Sequence, residues 1–280
     1  NSKHNTILLT EQCNHKCIMC SQPPKEKDDS WLLQQTMDLL EIIPKDTVNL
    51  GYSGGEPTLY GDGFIDLLDK TKRYLPYTGI DVLTNGRNFS NKNYVSKIAQ
   101  VDHPNCMFGI PLYSDNPVIH DYVVQSKGAF DETVSGIINM KRLGQKIEIR
   151  IVIHKQTIST LVSTCEYIAR NLIFVDHVAL MGLEITGYTR TNLEDLWIDP
   201  IEYKDILSDA VKILNTYNVS TSVYNHQLCL VNNDIFPNYI KSISDWKNEF
   251  VRECEECTKK TECGGFFSSS KQYRYSDNIK

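Results

Sequence analysis

No stretch of this 280-residue chain approaches 18 apolar residues, so nothing in it reads as a membrane-spanning helix. It does not open on the basic, apolar and small-residue blocks of a secretion signal either. Lys and Arg are scattered and the formal net charge is −6, which excludes the clustered basic face of a nucleic-acid binder. There is no internal repeat and no low-complexity tract. Nine cysteines are too few for a secreted disulfide scaffold of this size. The first residue is Asn1 rather than Met, which leaves room for a segment upstream. What is present is 41% hydrophobic residues, enough to fill a barrel or a doubly wound domain with a small appendage.

The cysteines are grouped. Cys13, Cys17 and Cys20 lie within eight residues; Cys254, Cys257 and Cys263 lie near the end, with Cys229 25 residues before them. Cys106 and Cys165 stand alone and read as free buried thiols. Grouped cysteines without a secretion signal point to metal ligands in a reducing, cytoplasmic setting.

Short β-branched or apolar runs alternate with helical patterns. Strands are expected over 6–10, 47–52, 80–84, 107–112, 146–154 and 177–182, and helices over 31–43, 63–74, 91–100, 130–143, 159–171 and 201–217. Six βα units in strict order predict an α/β fold with a parallel sheet, curled into a partial (β/α)6 TIM-type barrel. A doubly wound open sheet is the competitor. Beyond residue 217 the rhythm stops; a short strand is expected over 220–224, and residues 1–217 are assigned to the barrel and 218–280 to a small second domain. That domain is too poor in apolar residues to fold well without a metal or the barrel's support.

The first three cysteines follow Cys-x3-Cys-x2-Cys directly after the first strand, in the loop where a barrel places its chemistry. Three thiolates leave one position of a tetrahedral or cubane site open, as catalytic sites do. A zinc site with a distant fourth ligand such as His15 is the plainer alternative. At the end of the second strand stands "GYSGGEPTL", Gly51–Leu59. Its adjacent glycines let a ligand approach the main chain, Glu56 offers an acceptor for an ammonium group, and Pro57 stiffens the turn.

With these two motifs on consecutive strands the chain resembles the radical S-adenosylmethionine (SAM) enzymes. "LTNGR" (83–87) and "HDYVVQSKGAFDETVSGI" (120–137) are similar to that family's third and fourth strand ends. The resemblance implies a 4Fe–4S cluster on Cys13, Cys17 and Cys20, with SAM chelating the open iron. It also implies that Gly54, Gly55 and Glu56, followed by Pro57, hold SAM's amino group. Ser114 and Arg150 would meet its ribose and carboxylate, and Met181 and Gly182 its adenine. Met19 stands where the family usually has an aromatic residue beside the adenine. Arg150 pairing with Glu148 or Glu184 inside the barrel is the alternative. Tyr113, Tyr188, His120 and Glu184 are candidates for the mouth, and no catalytic acid or base is assigned.

The tail offers four thiols, Cys229, Cys254, Cys257 and Cys263, enough to close a site. Structural zinc would fit that count. The resemblance favours an auxiliary 4Fe–4S cluster, since peptide-modifying radical SAM enzymes often carry such a domain. "MGLEITGYTRTNLEDLWIDP", "LCL", "SISDWKN" and "CGGFFSS" look more narrowly like the His-Xaa-Ser system radical SAM maturases. That likeness implies reductive cleavage of SAM and hydrogen abstraction from a ribosomally made peptide. It implies as partners a second, paired radical SAM maturase and a reductant protein such as flavodoxin or ferredoxin. A small metabolite as substrate, or a metal-stapled binding module without turnover, are the alternatives.

Overall fold

A computed structural model describes residues 4–241 and 248–279. Seven strands form one sheet in chain order: β1 (His4–Thr10), β2 (Asn49–Gly54), β3 (Gly79–Leu83), β4 (Cys106–Pro111), β5 (Lys146–Ile153), β6 (His177–Gly182) and β7 (Thr221–Tyr224). The β1–β2, β2–β3, β3–β4 and β6–β7 pairs are parallel. Helices fill the connections, as parallel neighbours require. The principal ones are α1 (Trp31–Leu39), α2 (Asp62–Tyr74), α3 (Lys92–Val101), α4 (Pro117–Val124), α5 (Ala129–Arg142) and α6 (Leu161–Asn171). After β6 come two short turns of helix, α7 (Tyr188–Thr191) and α8 (Leu193–Leu196), then α9 (Pro200–Thr216) and, in the tail, α10 (Ser268–Tyr273).

Each of the six expected barrel strands and six expected helices is present, with ends displaced by a few residues. The place of the short strand expected over 220–224 is a correction. Thr221–Tyr224 joins the parallel sheet beside β6, so the sheet continues past residue 217. By contacts the chain divides into two compact units. One compact unit comprises Asn1–Lys16, Gln22–Pro111 and Val124–Glu148; the other comprises Cys17–Ser21, Leu112–Val123 and Ile149–Lys280. The tail therefore clusters with β6 and β7 rather than alone. "SISDWKN" falls almost wholly on 242–247, outside the described residues.

In the first unit, alternate residues of β2 and β3 point into an apolar core: Leu50, Tyr52, Ile80 and Val82 are buried with Phe64 and Leu67 of α2. Phe108 of β4 meets Phe89 edge to face. In the second unit, Ile149, Ile151 and Ile153 of β5 are buried while Arg150 and Val152 between them are half-exposed, the two-residue alternation read from the sequence. Helix α9 packs against α6 and begins with a capping box, in which the Asp199 side chain and Glu202 satisfy each other's backbone amides behind Pro200. Among the described residues no helix is long and apolar enough to cross a membrane.

Candidate active site

In the first unit, the end of β1 and the end of β2 run together. Gly55 N–H donates to Thr10 O and Glu56 N–H to Gln12 O, both at 2.8 Å. A Cβ on Gly54 would stand 2.2 Å from Thr10 O, and one on Gly55 2.1 Å from Gln12 O and 3.1 Å from Cys13 Cβ. Gly54 also has φ +146°. The side of each glycine where a Cβ would stand is filled by the chain that leads into Cys13. They set where Cys13 begins its loop. Cys13 Sγ accepts the His15 N–H at 3.3 Å.

Glu56 is fully buried and caps the turn that starts at Pro57. Its Oε1 accepts the Thr58 N–H at 3.0 Å, the Thr58 hydroxyl and the Thr84 hydroxyl at 2.7 Å; Oε2 accepts the Asn85 N–H at 2.6 Å. Burial pushes its carboxyl above the usual range, and the donors from Thr58, Thr84 and Asn85 pull it back. The "LTNGR" segment is thus the partner of this carboxylate. Asn85 also donates to the Asn14 side chain at 2.6 Å, and the Arg87 guanidinium pairs with Glu132 and reaches Ser126 Oγ at 2.8 Å.

In the second unit, Cys17, Met19 and Cys20 line a cavity of about 260 Å³ with Ser21, Tyr113, Val152, Met181, Gly182, Leu183, Glu184 and Asn225. The loop is held from α7 and α8. Asn192 Nδ2 donates to Ile18 O at 2.7 Å, Thr189 Oγ1 to Met19 O at 3.2 Å, and Tyr188 N–H to Cys20 O at 2.9 Å. This accounts for "GYTRTN" as structure: three consecutive loop carbonyls find donors there.

Of the residues assigned to SAM, Met19, Met181 and Gly182 share this cavity. Tyr113 and Glu184 line it too, while Tyr188 supports the loop through its backbone. Arg150 stands beside it with a guanidinium nitrogen 3.4 Å from Met181 Sδ. Ser114 is buried behind it, donating to Thr160 Oγ1 and accepting the Asn116 N–H, each at 3.0 Å. His120 is buried outside the cavity lining and accepts the Tyr113 N–H at 3.2 Å; burial lowers its pKa to about 4. Asn225 is the lining residue the sequence reading missed. It has φ +62° just past β7 and its amide lies 3.4 Å from Gly182 O. A β7 strand could have pointed to it, had 220–224 been read as part of the sheet.

The four tail thiols lie together in the second unit. Cys229, Cys254, Cys257 and Cys263 all line one cavity of about 320 Å³, walled by Leu228, Phe236, Phe250 and Ile279. None of the nine cysteines is in a disulfide. Burial, with the neighbouring thiols of Cys263 and Cys257, holds the Cys254 thiol above its usual range. Among the described residues no three Cys, His, Asp or Glu side chains converge on the position of a single ion. Cys106 and Cys165 are buried, and burial pushes the Cys165 thiol up to about 12, as for inert core thiols.

A parallel α/β sheet with a cysteine loop after its first strand and a buried Gly-Gly-Glu corner after its second defines a cofactor-binding enzyme class. The model of the radical SAM superfamily matches residues 7–168, and the chain belongs to that family. The family is one of enzymes and implies SAM and a 4Fe–4S cluster. A probable GTP 3′,8-cyclase of Methanocella arvoryzae is 30% identical over 134 residues, 47% of this chain and 41% of that protein. Among solved structures, SuiB of Streptococcus suis bound to S-adenosylmethionine superposes with a TM-score of 0.64 at 18% identity, over 79% of this chain and 50% of that one. The protein anSMEcpe with bound AdoMet gives 0.60 at 16% identity, over 78% and 63%. The chain therefore spans about half the length of these relatives, and the structures speak to the fold, an α/β sheet consistent with a partial TIM-type barrel.

Proposed function

We propose that this chain is a cytoplasmic radical SAM enzyme that modifies a ribosomally made peptide and carries a second 4Fe–4S cluster in its tail. The observation that supports the second cluster is the set of four thiols around one cavity of about 320 Å³. Zinc needs four sulfurs about 2.3 Å from a single point. Structural zinc is the alternative for the same four thiols, whereas a multi-iron body suits a space that its ligands surround. The narrower His-Xaa-Ser reading rests on the sequence of the tail. Two solved structures of this fold hold peptides, SuiB with precursor peptide SuiA and anSMEcpe with a Cp18Cys peptide, a likeness of fold alone.

When bound, the first cluster and SAM supply reductive cleavage to methionine and a 5′-deoxyadenosyl radical. Cys13, Cys17 and Cys20 would hold that cluster, a donor set of thiolates suited to iron–sulfur. Gly54, Gly55 and Glu56 would meet SAM's amino group through their carbonyls and Glu56 Oε2, which has spare acceptor capacity. Pro57 starts the turn that fixes Glu56. Met19, Met181 and Gly182 provide a soft, apolar wall for adenine. Arg150 lies beside that wall as a partner for the carboxylate. Ser114 reaches ribose only by giving up its bond to Thr160. Tyr113, Val152 and Leu183 would line the space around the reacting carbon and limit water there. A paired maturase and a flavodoxin- or ferredoxin-type reductant would complete the system.

The test is anaerobic incubation with SAM, a strong reductant and a His-Xaa-Ser peptide, alone and with the paired maturase. We expect 5′-deoxyadenosine and a peptide lighter by about two mass units, as two one-electron oxidations of a carbon centre require. Accumulating 5′-deoxyadenosine with an unchanged peptide would remove the peptide reading. The likeness to a probable GTP 3′,8-cyclase favours a small metabolite as the second reading.

A further inference from the structure

One hydroxyl ties two of the cysteine-bearing loops of the tail together. Tyr239 Oη donates to His226 O at 2.6 Å and accepts the Gly264 N–H at 2.7 Å. His226 stands three residues before Cys229, and Gly264 directly follows Cys263. The tyrosine itself is anchored to the sheet: Val223 of β7 pairs with Tyr239, and its carbonyl accepts the Ile240 N–H at 2.9 Å.

The Cys-Gly-Gly turn is shaped around that hydroxyl. A Cβ on Gly264 would stand 2.2 Å from Lys241 O and 3.0 Å from Tyr239 Oη. Gly265 has φ +64°, and a Cβ there would stand 2.3 Å from Glu249 O. With both side chains absent, two successive amides turn inward, one onto Tyr239 and the next onto sulfur. Cys263 Sγ accepts the Gly265 N–H at 3.4 Å and, from the Cys229 loop, the Leu228 N–H at 3.5 Å. Gln227 adds a further tie, its amide donating to Gly265 O at 2.7 Å.

We propose that Tyr239 is a positioning residue of the C-terminal metal site. It fixes the Cys229 loop against the Cys-Gly-Gly turn, so that Cys263 meets the metal with its sulfur already carrying two backbone N–H bonds. This rests on the proposed reading of the tail as a metal site. Amides pointing at a thiolate withdraw electron density and favour the reduced form of an iron–sulfur cluster, so they raise its potential. Partners of this outer kind commonly change metal affinity about ten- to a hundredfold when removed.

The experiment uses the full chain with Cys13, Cys17 and Cys20 replaced by Ala, which leaves the tail as the site being read, and compares it with the same chain carrying Tyr239→Phe. After reconstitution with iron and sulfide, iron loss to a chelator and the midpoint potential by EPR-monitored titration are measured. The expected result is iron loss about ten- to a hundredfold faster, a more negative potential, and metal-free forms that melt alike. Equal loss rates and equal potentials overturn the inference. Should the Phe chain not fold, hydrogen exchange of the metal-loaded parent decides: a protected Gly264 amide supports the tie, and one exchanging like an open amide overturns it. A parent that binds no metal in the tail removes the underlying reading, an outcome distinct from a loaded parent that Tyr239→Phe leaves unchanged.

Discussion

The Gly-Gly-Glu corner of the first unit and the cysteine site of the tail solve the same problem in opposite ways. Both gather polar or ionisable groups in one place, Glu56 fully buried and the tail thiols ranging from buried Cys254 and Cys263 to exposed Cys229. At the corner the protein supplies every partner: the backbone of Gly55 and Glu56 is bonded to Thr10 and Gln12, and the Glu56 carboxylate takes four donors. The tail has short 3-10 turns, two isolated bridges and a core of Val251, Cys254 and Phe266 with Phe250, Tyr275 and Ile279 packed on it. Its four thiols surround a space. The corner is preorganised by the chain; the tail, on the proposed reading, is completed by the metal that fills it.

That contrast breaks most visibly on metal removal. Chelated protein, or protein with Cys229, Cys254, Cys257 and Cys263 changed to Ser, should be cut by protease throughout roughly the last fifty residues while the strands and helices before them stay intact. Equal protection with and without metal would show that the tail is held by its own packing.

The next largest effect separates the two cysteine sets. Replacing Cys13, Cys17 and Cys20 by Ala should abolish cleavage of SAM yet retain roughly half of the iron, because the tail binds its share independently. Retained cleavage would show that the opening motif is not the SAM site.

A smaller effect tests whether the corner is as self-sufficient as its bonds indicate. Glu56→Gln turns one acceptor oxygen into a donor facing Thr58, Thr84 or Asn85, and should lower the stability of metal-free protein by about 1.5–3 kcal/mol, the worth of a charge-assisted bond lost in the interior. Unfolding in urea with an unchanged midpoint would mean that the corner is held by its backbone alone.

Periodicity made the sheet readable, because β5 alternates Ile with polar residues and each helix shows one apolar face. Motif spacing located Cys13, Cys17, Cys20 and the Gly-Gly-Glu corner. The physical reason for the two glycines was not readable: it depends on strand β1 passing within contact of β2, a tertiary fact. β7 was set apart from the barrel because Thr221–Tyr224 is only four residues long and follows a break in rhythm. Asn225 was lost with it. The roles of Thr84 and Asn85 as donors to Glu56 were likewise hidden, since 28 and 29 residues separate the partners and no local pattern links them.

The Cys17–Ser21 loop lies between the two extremes, and the smallest expected effect decides to which it belongs. Its carbonyls at Ile18, Met19 and Cys20 are held by the Asn192 amide, the Thr189 hydroxyl and the Tyr188 N–H. Asn192→Ala removes the shortest of these bonds, 2.7 Å, and leaves Ile18 O to find water. The loss should be about 0.5–1.5 kcal/mol, as for an ordinary hydrogen bond, because the half-buried Asn192 can be replaced without leaving a charge behind. If the loop is ordered by the chain, as the corner is, this cost appears in metal-free protein and faster exchange of the Ile18–Cys20 amides accompanies it. If it is ordered by its cluster, as is proposed for the tail, metal-free wild-type protein already exchanges freely there and the substitution changes only how fast iron leaves. Measuring both forms by hydrogen exchange therefore tells whether the SAM cluster is built into a waiting loop or builds the loop itself.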